Sequence, residues 1–389
     1  MTALRTVLKE RKEYSEKDGS FEHATLSKDG IYGKTARYDR DFLVSTENKK
    51  YKVTHYGDLC YNPANLKFGV ICLNKYGDAI FSPIYVTFEI QPSYDQDFIG
   101  TNLSRWDFIN QALRYQEGTV YERMAVSPED FVAIRCYLPS YAEQVRISVL
   151  TRLLDERIEK QRAYVECLKK YKRGLSDAMF DSIARMDTTL VAPFNSIFTL
   201  LQNNTFSRED MTFDTEFVKN IHYGDVLIKY GAVVNLSTTP IPSIKPDRRL
   251  DKYADHSYLQ NGDIVFADTA EDYSVGKATE ISGISGQQVL AGLHTIPCRP
   301  KTSFAPAYLG YYFNSSYFKS QILPMVQGTK VSSISKTEML KTSVLIPQKM
   351  VQEKVASTLY KLDCRIDFEE RMVAALVQEK QGLLQRLFI

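Results

Sequence analysis

The feature that most constrains the fold is a segment that the chain contains twice. Residues 139–180 begin with Pro139 and Gln144, continue through Leu-Asp-Glu-Arg-Ile and end with Gly-Leu and a phenylalanine. Residues 347–388 repeat this order through Leu-Asp-Cys-Arg-Ile, and 12 of the 42 paired positions are identical. Because an internal repeat determines the architecture of a whole chain, we predict a duplication in which each domain is followed by a long helix.

Both copies of the segment have seam residues at alternating intervals of four and three, which is the a and d pattern of a heptad repeat. Such a repeat predicts two long helices that pack along one seam. The predicted seam consists of Leu154, Ile158, Gln161, Val165, Leu168, Lys172, Leu175 and Met179 in the first copy, and Leu362, Ile366, Glu369, Val373, Leu376, Lys380, Leu383 and Leu387 in the second.

Polar residues within the seam indicate the direction of pairing. A parallel pair would place Lys172 against Lys380, with two like charges half-buried in one layer. In an antiparallel pair Lys172 lies beside Glu369, and Gln161 lies beside Lys380. We therefore predict an antiparallel helix pair within the chain. The alternative is two unrelated amphipathic helices on separate domains.

The remainder of the chain predicts two β-rich domains. Short β-like runs separated by turn residues include Gly57-Asp58-Leu59 and, in the second half, Gly262-Asp263-Ile264. Each half also has one helical segment, 98–115 or 308–322, followed by Gly-Thr. Residues 1–14 are predicted to form a short helix, and residues 223–228 a strand. The predicted fold class is α+β, with target domains at 1–138 and 181–346 and spacer helices at 139–180 and 347–389.

Composition and motifs limit the chemistry of the chain. The net charge is +2. No apolar run approaches the length that spans a bilayer, and the N-terminus does not have the pattern of a signal peptide. The six cysteines include no closely spaced pair, so we predict neither a zinc site nor disulfides, and a reducing cytoplasmic setting. Gly33-Lys34-Thr35 lacks the glycine that a phosphate-binding loop requires five residues earlier. No histidine has a partner at metal or catalytic spacing, and we predict no catalytic residue and no metal site.

Basic residues gather with tyrosines in predicted loops, where such side chains contact phosphates and base edges in DNA complexes. Plain solvated surface is the commoner interpretation of such loops. The candidate DNA-binding residues are Lys34, Arg37, Tyr38, Arg40, Lys50, Tyr51, Tyr121 and Arg123 in the first domain, and Lys229, Arg248, Arg249, Lys330, Ser332 and Ser333 in the second.

The repeated Pro-x4-Gln, Leu-Asp-x-Arg-Ile and Gly-Leu-x4-Phe helices, together with the Gly-Asp-Ile/Leu strands, resemble the specificity (S) subunit of Type I restriction–modification enzymes. The resemblance covers essentially the whole chain. It implies two target-recognition domains that lie apart on two antiparallel helices, each binding one half of a bipartite, asymmetric DNA site. The first copy departs from the pattern in its short N-terminal entry.

The same resemblance implies partners. Two modification (methyltransferase) subunits would dock on the helices, and restriction (endonuclease/translocase) subunits would join for cleavage. S-adenosylmethionine, ATP and Mg²⁺ would then bind to those partners. The alternative is a stand-alone coiled-coil DNA-binding or adaptor protein without a methyltransferase partner.

The helix pair has a length that suits a spacer. The 25 residues from Leu154 to Met179 span about 38 Å as a helix, close to the roughly 34–36 Å of one B-DNA turn. Gly174 and Gly382 are unfavourable within the predicted helices, because glycine inside a helix costs about 1 kcal/mol relative to alanine. Each is expected either to allow close approach of the partner helix or to end its own helix. The DNA sequence, the spacer length and the methylated base are not encoded in any motif.

Overall fold

The computed structural model describes residues 1–16, 19–34, 50–117, 124–215, 217–272, 274–328 and 331–387. The chain forms two compact units, the first comprising Met1–Lys160 with Ala374–Ile389 and the second Gln161–Val373. Each unit takes part of both long helices. The four segments that the repeat predicts have different boundaries from these two units, and this division stays a prediction.

The described residues of the first unit form three sheets, with strand orders β1-β11, β2-β10-β7-β8 and β3-β6-β9-β4-β5. Its strands are β1 (Thr2–Ala3), β2 (Leu8–Glu10), β3 (Tyr14–Ser15), β4 (Glu22–Ser27), β5 (Gly30–Gly33), β6 (Tyr51–Thr54), β7 (Leu59–Tyr61), β8 (Ile71–Leu73), β9 (Ala79–Phe81), β10 (Val86–Ile90) and β11 (Arg135–Cys136). Its helices are α1 (Gln96–Leu103), α2 (Trp106–Ala112), α3 (Pro128–Ala133) and the start of α4 (Tyr141–Ala184).

The predicted N-terminal helix over residues 1–14 is wrong. Leu4, Val7 and Leu8 are buried as expected for an apolar face, but the segment forms strands around a single 3-10 turn, Leu4–Thr6. β2 pairs antiparallel with β10, so that Leu8 lies opposite Ile90. Tertiary pairing with a buried strand therefore overrides a short apolar pattern that is compatible with either structure.

In the second unit, the part of the chain that the structure describes forms four sheets, with strand orders β12-β24, β13-β22-β18-β20-β16, β14-β17-β15-β21 and β19-β23. Its strands are β12 (Leu190–Pro193), β13 (Phe198–Leu200), β14 (Met211–Thr212), β15 (Lys219–Ile221), β16 (Val233–Asn235), β17 (Ser243–Ile244), β18 (Ile264–Ala267), β19 (Thr269–Ala270), β20 (Ala278–Ser282), β21 (Val289–Ala291), β22 (Thr295–Pro300), β23 (Ser332–Ser333) and β24 (Ser343–Ile346). Its helices are α5 (Phe194–Ile197), α6 (Tyr223–Ile228), α7 (Tyr308–Phe313), α8 (Ser316–Ile322), α9 (Lys336–Met339) and α10 (Lys349–Leu387), which ends in the first unit.

The duplication extends into the sheets. The order β2-β10-β7-β8 of the first unit recurs as β13-β22-β18-β20 in the second, which adds β16 beside β20. The N-terminal entries also correspond, because Leu4 N–H donates to Ile134 O at 2.9 Å and Phe194 N–H donates to Thr342 O at 2.9 Å. The short entry of the first copy therefore contains the same pairing strands as the second.

The other sequence predictions divide clearly. The helical segments 98–115 and 308–322 are confirmed, each as two short helices that break at Ser104 or Ser315. The predicted strand at 223–228 is wrong, since these residues form α6. The His222 side chain accepts the Gly224 N–H and caps this helix, which is a local contact that β propensity does not reveal.

Each unit has a hydrophobic core that includes residues from both long helices. In the first unit, Ile147 of α4 belongs to the core and Leu387 of α10 packs against it. In the second, Phe180 of α4 and Leu359 of α10 are both fully buried in the core. The predicted fold class, with two β-rich domains and two long helices, is confirmed. Among the described residues, no helix is apolar over enough of its length to cross a bilayer.

Candidate nucleic-acid interface and helix pair

A buried glutamine fixes the start of each long helix. Gln144 accepts the N–H of Asp95 at 3.0 Å and donates to Pro139 O at 2.9 Å. Gln352 makes the same two bonds, to Ala305 N–H and Pro347 O, at 2.9 Å each. Both amides are almost fully buried. The repeated Pro-x4-Gln motif is therefore a clamp that ties the helix to the loop before α1 or α7.

A buried aspartate organises the strand turn that precedes β7 and β18. Asp58 accepts a two-pronged bond from Arg11 at 2.8 and 2.9 Å. Asp263 accepts the same fork from Arg299 at 2.9 and 2.7 Å. The bond to Asp58 raises the pKa of Arg11, whereas burial raises the pKa of Asp263 although Arg299 opposes this. Arg11 follows β2, whereas Arg299 lies in β22, which is not the matching strand of the repeat. No repeated sequence pattern therefore indicates these arginines.

The helix pair is antiparallel within the second unit. Gln161 donates to Glu369, and Lys172 donates to Asp363, so residue numbers rise along α4 as they fall along α10. In the first unit Lys380 donates to Asp155 at 2.5 Å. Since Asp155 and Asp363 are matching positions of the repeat, as are Lys172 and Lys380, each unit contains the same lysine–aspartate bridge.

The predicted register of the helix pair is wrong. Lys172 was expected beside Glu369 and Gln161 beside Lys380, but Glu369 accepts from Gln161 and Lys172 reaches Asp363. The partner of Lys172 is therefore six residues, nearly one heptad, earlier in α10 than predicted. Charges that pair only within the seam give the predicted register, whereas the long lysine side chains reach carboxylates that flank the seam. All sixteen predicted seam residues are nevertheless buried or half-buried.

Both glycines of the repeated segment lie inside helices. Gly174 is within α4 and Gly382 within α10, so neither ends its helix. A Cβ atom built at either position would meet no other atom within 4 Å. The expectation that these glycines allow close approach of a partner backbone is therefore also wrong.

Equivalent loops follow α2 and α8. An isolated antiparallel bridge joins Glu117 to Ala125 in the first unit, and another joins Gln327 to Ser333 in the second. Each bridge closes a loop that contains the repeated Gly-Thr. The helices after these loops start in the same way, since the hydroxyls of Ser127 and Ser335 cap α3 and α9. The described residues that flank the two loops are thus held in the same way in both copies.

Several candidate DNA-binding residues lie outside the described residues, namely Arg37, Tyr38, Arg40, Tyr121, Arg123 and Lys330. Of the others in the first unit, Lys50 is exposed and Lys34 is half-buried beyond β5. Tyr51 differs, because it is only 6% exposed and its ring packs edge-on against His23 at 5.0 Å. A ring buried in this way cannot contact a base, so we assign Tyr51 to the core instead.

The candidates of the second unit are exposed to different degrees. Arg249 is exposed, whereas Arg248 bonds to Asp210 at 2.8 Å and Lys229 pairs with the buried Asp225 at 2.9 Å. Ser332 and Ser333 form β23 beside β19. Arg248 and Lys229 already pair with carboxylates. Of these three basic residues, Arg249 is therefore the best placed to pair with a phosphate.

The four thiols that lie outside the long helices are poorly suited to nucleophilic chemistry. Burial raises the pKa of Cys60 and Cys298, and it raises the pKa of Cys72 and Cys136 to about 11. These groups are therefore protonated thiols at neutral pH. Among the described residues, no group of three or more His, Cys, Asp or Glu side chains has the arrangement of a metal site.

The fold of this chain is similar to that of several solved structures. The chain matches, over 100% of its length, 95% of the HsdS subunit from Thermoanaerobacter tengcongensis, with 16% identity and a TM-score of 0.50. It matches 95% of the Type I restriction–modification S subunit from M. genitalium, with 14% identity and a TM-score of 0.54. This chain has the fold of Type I S subunits. The match extends over both β-rich units and both long helices.

A third structure agrees. A chain in a structure of the assembly and conformational transition of a type I R-M system aligns over 96% of its length with 100% of this one, at 16% identity and a TM-score of 0.61. No protein-family model matches the sequence, and no curated protein matches it significantly. The likeness is therefore one of fold, at identities too low to transfer individual residue roles.

Proposed function

We propose that this chain is the DNA-specificity subunit of a Type I restriction–modification complex, and that each β-rich domain binds one half of a bipartite, asymmetric site. The observation that carries the proposal is the likeness of fold over the whole chain to two S subunits. The two copies share a framework but differ in loop sequence. Different loops on one framework favour two different half-sites over a palindrome.

In this proposal the long helices set the spacing of the half-sites and dock two methyltransferase subunits. Large apolar side chains on their surfaces support a docking role: Leu153 is 52% exposed, Tyr171 58% and Tyr360 56%. Such side chains are typical of protein interfaces. Restriction subunits complete the complex, and S-adenosylmethionine, ATP and Mg²⁺ bind to the partners. The chain itself is non-catalytic and works beside its partners in the cytoplasm.

Co-purification tests the docking role. A methyltransferase should co-purify with the wild-type chain and be lost with Leu153→Asp, which places a charge in the exposed apolar surface of α4. Lys170→Asp changes an exposed residue of the same helix and serves as the matched control, which should retain the partner. If the wild-type chain retains no methyltransferase, the stand-alone adaptor becomes the better explanation.

Methylation mapping tests DNA recognition. Cells that contain the chain should show methylation at a bipartite, asymmetric motif that is absent without it. Insertion of one heptad into both helices should lengthen the spacer and leave the two half-sites unchanged. Methylation that keeps its original spacing would refute the role of the helices as spacers.

The role of Arg249 can be separated by its substitution with alanine. Uniformly weaker binding to all sequences would identify a phosphate contact, whereas relaxed choice at one base pair would identify base recognition. Binding that matches the wild type for every sequence would remove Arg249 from the interface.

A further inference from the structure

The second unit contains a cleft of about 680 Å³ between α4, α8, α10 and the residues just before β20. Five basic and three acidic side chains line it, which leaves an excess of two positive charges. Ligand pockets commonly measure about 300–1,000 Å³, so the cleft is large enough for a small molecule or part of a nucleotide chain.

The carboxylates of the cleft already have partners. Asp363 accepts from Lys172, and Glu370 pairs with Lys169 at 2.9 Å. Asp177 accepts the backbone N–H of Ser316 at 3.3 Å. Asp363 and Glu370 therefore neutralise Lys172 and Lys169. The single charge of Asp177 then faces the three remaining cations of the cleft, and Asp272, which does not line it, acts on Lys319 from beyond ion-pair distance.

Those other cations are Arg173 on α4, Lys277 before β20 and Lys319 on α8. None of the three has a carboxylate within ion-pair distance in the part of the chain that the structure describes. The ammonium of Lys277 donates one bond, to Leu227 O at 2.8 Å, which leaves two N–H groups for a ligand. Burial lowers the pKa of Lys277 and of Lys319, and the charges of Lys319 and Lys172 lower that of Lys277 further.

The first copy shows that the fold does not require these charges. The strand pairings place Val70 at the position of Lys277, and the matching helices α2 and α8 place Ile109 at the position of Lys319. Val70 and Ile109 are both buried. The same two positions of the duplicated fold are thus occupied by buried apolar side chains in the first copy and by lysines in the second.

The helix wall of the cleft differs between the copies in the same way. Position by position along the repeat, Lys169 corresponds to Val377 and Arg173 to Gln381, whereas Lys172 corresponds to Lys380. Only the lysine that bridges to an aspartate in each unit is shared. The positive charge of the cleft is therefore an addition that belongs to the second copy.

We propose that this cleft binds a phosphate group, which is carried either by the DNA backbone or by a free phosphate-bearing molecule. Phosphate oxygens accept the charge-assisted bonds that lysine and arginine donate, and a bound anion would offset the repulsion between Lys277 and Lys319. The DNA source rests on the proposed function, whereas the free ligand does not.

The test uses the full chain with two probes. Pyrophosphate binding is measured by calorimetry, and binding of a random-sequence DNA duplex is measured by fluorescence anisotropy over a range of salt concentrations. The variant that combines Lys277→Val with Lys319→Ile copies the first domain. Lys361→Met, at an exposed lysine of α10 that does not line the cleft, is the matched control. Lys319→Gln is the milder alternative if the double variant does not fold.

We expect the double variant to bind pyrophosphate at least tenfold more weakly and the control to bind it like the wild type. Pyrophosphate that competes with duplex, with a salt slope reduced by about one to two in the double variant, identifies backbone phosphate as the source. Pyrophosphate that binds without competition identifies a free ligand. If the wild type binds pyrophosphate but no duplex, the cleft stands and the proposed function fails. Unchanged affinity for both probes in the folded double variant overturns the proposal.

Discussion

The two domains of this chain share a set of buried polar contacts and little else in sequence. Gln144 and Gln352 make the same pair of backbone bonds, and Asp58 and Asp263 each hold an arginine. Around these contacts the copies diverge. A buried polar group that loses its partner is costly, so these few positions constrain both copies while neighbouring ones are free to change.

The clearest divergence lies at the start of the helix that packs on the main sheet. In the first unit Asp95 caps α1 by accepting the N–H of Phe98 at 2.9 Å. In the second, α7 has no cap of its own, and Glu280 of β20 accepts the N–H groups of Ala307 at 2.6 Å and Gly310 at 3.0 Å. The strand pairings place Leu73 at the matching position in the first copy. The N-terminal N–H groups of the helix are thus bound by a residue just before the helix in the first copy and by a residue of the neighbouring strand in the second.

The largest predicted effect removes the shared aspartate. Asp58→Asn and Asp263→Asn should each destabilise their own unit by about 3 kcal/mol, because each leaves a partly buried arginine without its carboxylate. The single tryptophan, Trp106, lies in the first unit. Its fluorescence during urea unfolding should therefore shift for Asp58→Asn and not for Asp263→Asn, whereas far-UV circular dichroism should report both.

The control for this pair is the conservative exchange of each arginine. Arg11→Lys and Arg299→Lys keep the charge but lose the two-pronged bond, so each should cost less than its aspartate variant. Equal losses in the Trp106 signal for Asp58→Asn and Asp263→Asn would show that the two units unfold together and that the comparison between them cannot be made by mutation.

A smaller effect is expected at the helix clamp. Gln144→Ala and Gln352→Ala should each cost roughly 2 kcal/mol, since each leaves one backbone N–H and one carbonyl unpaired in a buried place. Gln144→Glu and Gln352→Glu keep the acceptor but bury a carboxylate against the carbonyl of Pro139 or Pro347, and should cost at least as much. Urea unfolding measures both series. A loss below about 0.5 kcal/mol in either alanine variant would mean that water replaces the amide.

The comparison also explains which parts of the structure the sequence predicts. The repeat predicted the duplication and the long helices, because heptad spacing and identical residues at one offset are properties of sequence alone. It did not predict the entry strands at Leu8 or the helix at Tyr223, where a short apolar run is decided by its neighbours. The arginine partners of Asp58 and Asp263 are unpredictable for a different reason, because Arg11 follows β2 and Arg299 lies in β22, and these strands do not correspond in the repeat.

The site was predictable to a lesser degree. Sequence places Gly-Thr loops and basic residues at corresponding points, but it cannot tell an exposed arginine such as Arg249 from a buried ring such as Tyr51. The cleft at Lys277 and Lys319 was invisible because strand and helix bring these residues together. The difference between the copies follows from the strand register, which aligns Lys277 with Val70.

The divergent cap predicts a pH dependence that belongs to the second unit. Burial raises the pKa of Glu280 from 4.5 to about 6, although the N–H groups of Gly310 and Ala307 oppose this. The folded state therefore binds the proton more tightly than the unfolded state does. The stabilisation is complete below about pH 4.5 and is lost as the pH rises through 6, with a total of about 2 kcal/mol.

Glu280→Gln removes the titrating group and keeps an acceptor for the helix. Between pH 4.5 and 7, urea unfolding followed by far-UV circular dichroism should show the wild type losing about 2 kcal/mol relative to this variant. Leu73→Gln at the corresponding place in the first copy introduces no titrating group and should give no such pH dependence. Parallel pH profiles for the wild type and Glu280→Gln would show that folding does not raise the pKa of Glu280.

The smallest effect concerns a glycine that both copies retain. Because a Cβ at Gly174 or Gly382 would meet nothing within 4 Å, Gly174→Ala and Gly382→Ala should each stabilise the chain by up to about 1 kcal/mol through helix propensity alone. Gly310→Ala is the contrasting control, since its Cβ would lie 2.1 Å from Ala232 O and must destabilise. Thermal unfolding of the isolated chain measures all three. If Gly174→Ala stabilises the chain and yet weakens retention of the methyltransferase, the open space beside this glycine is a place where a partner approaches the helix, and both copies keep glycine for docking instead of folding.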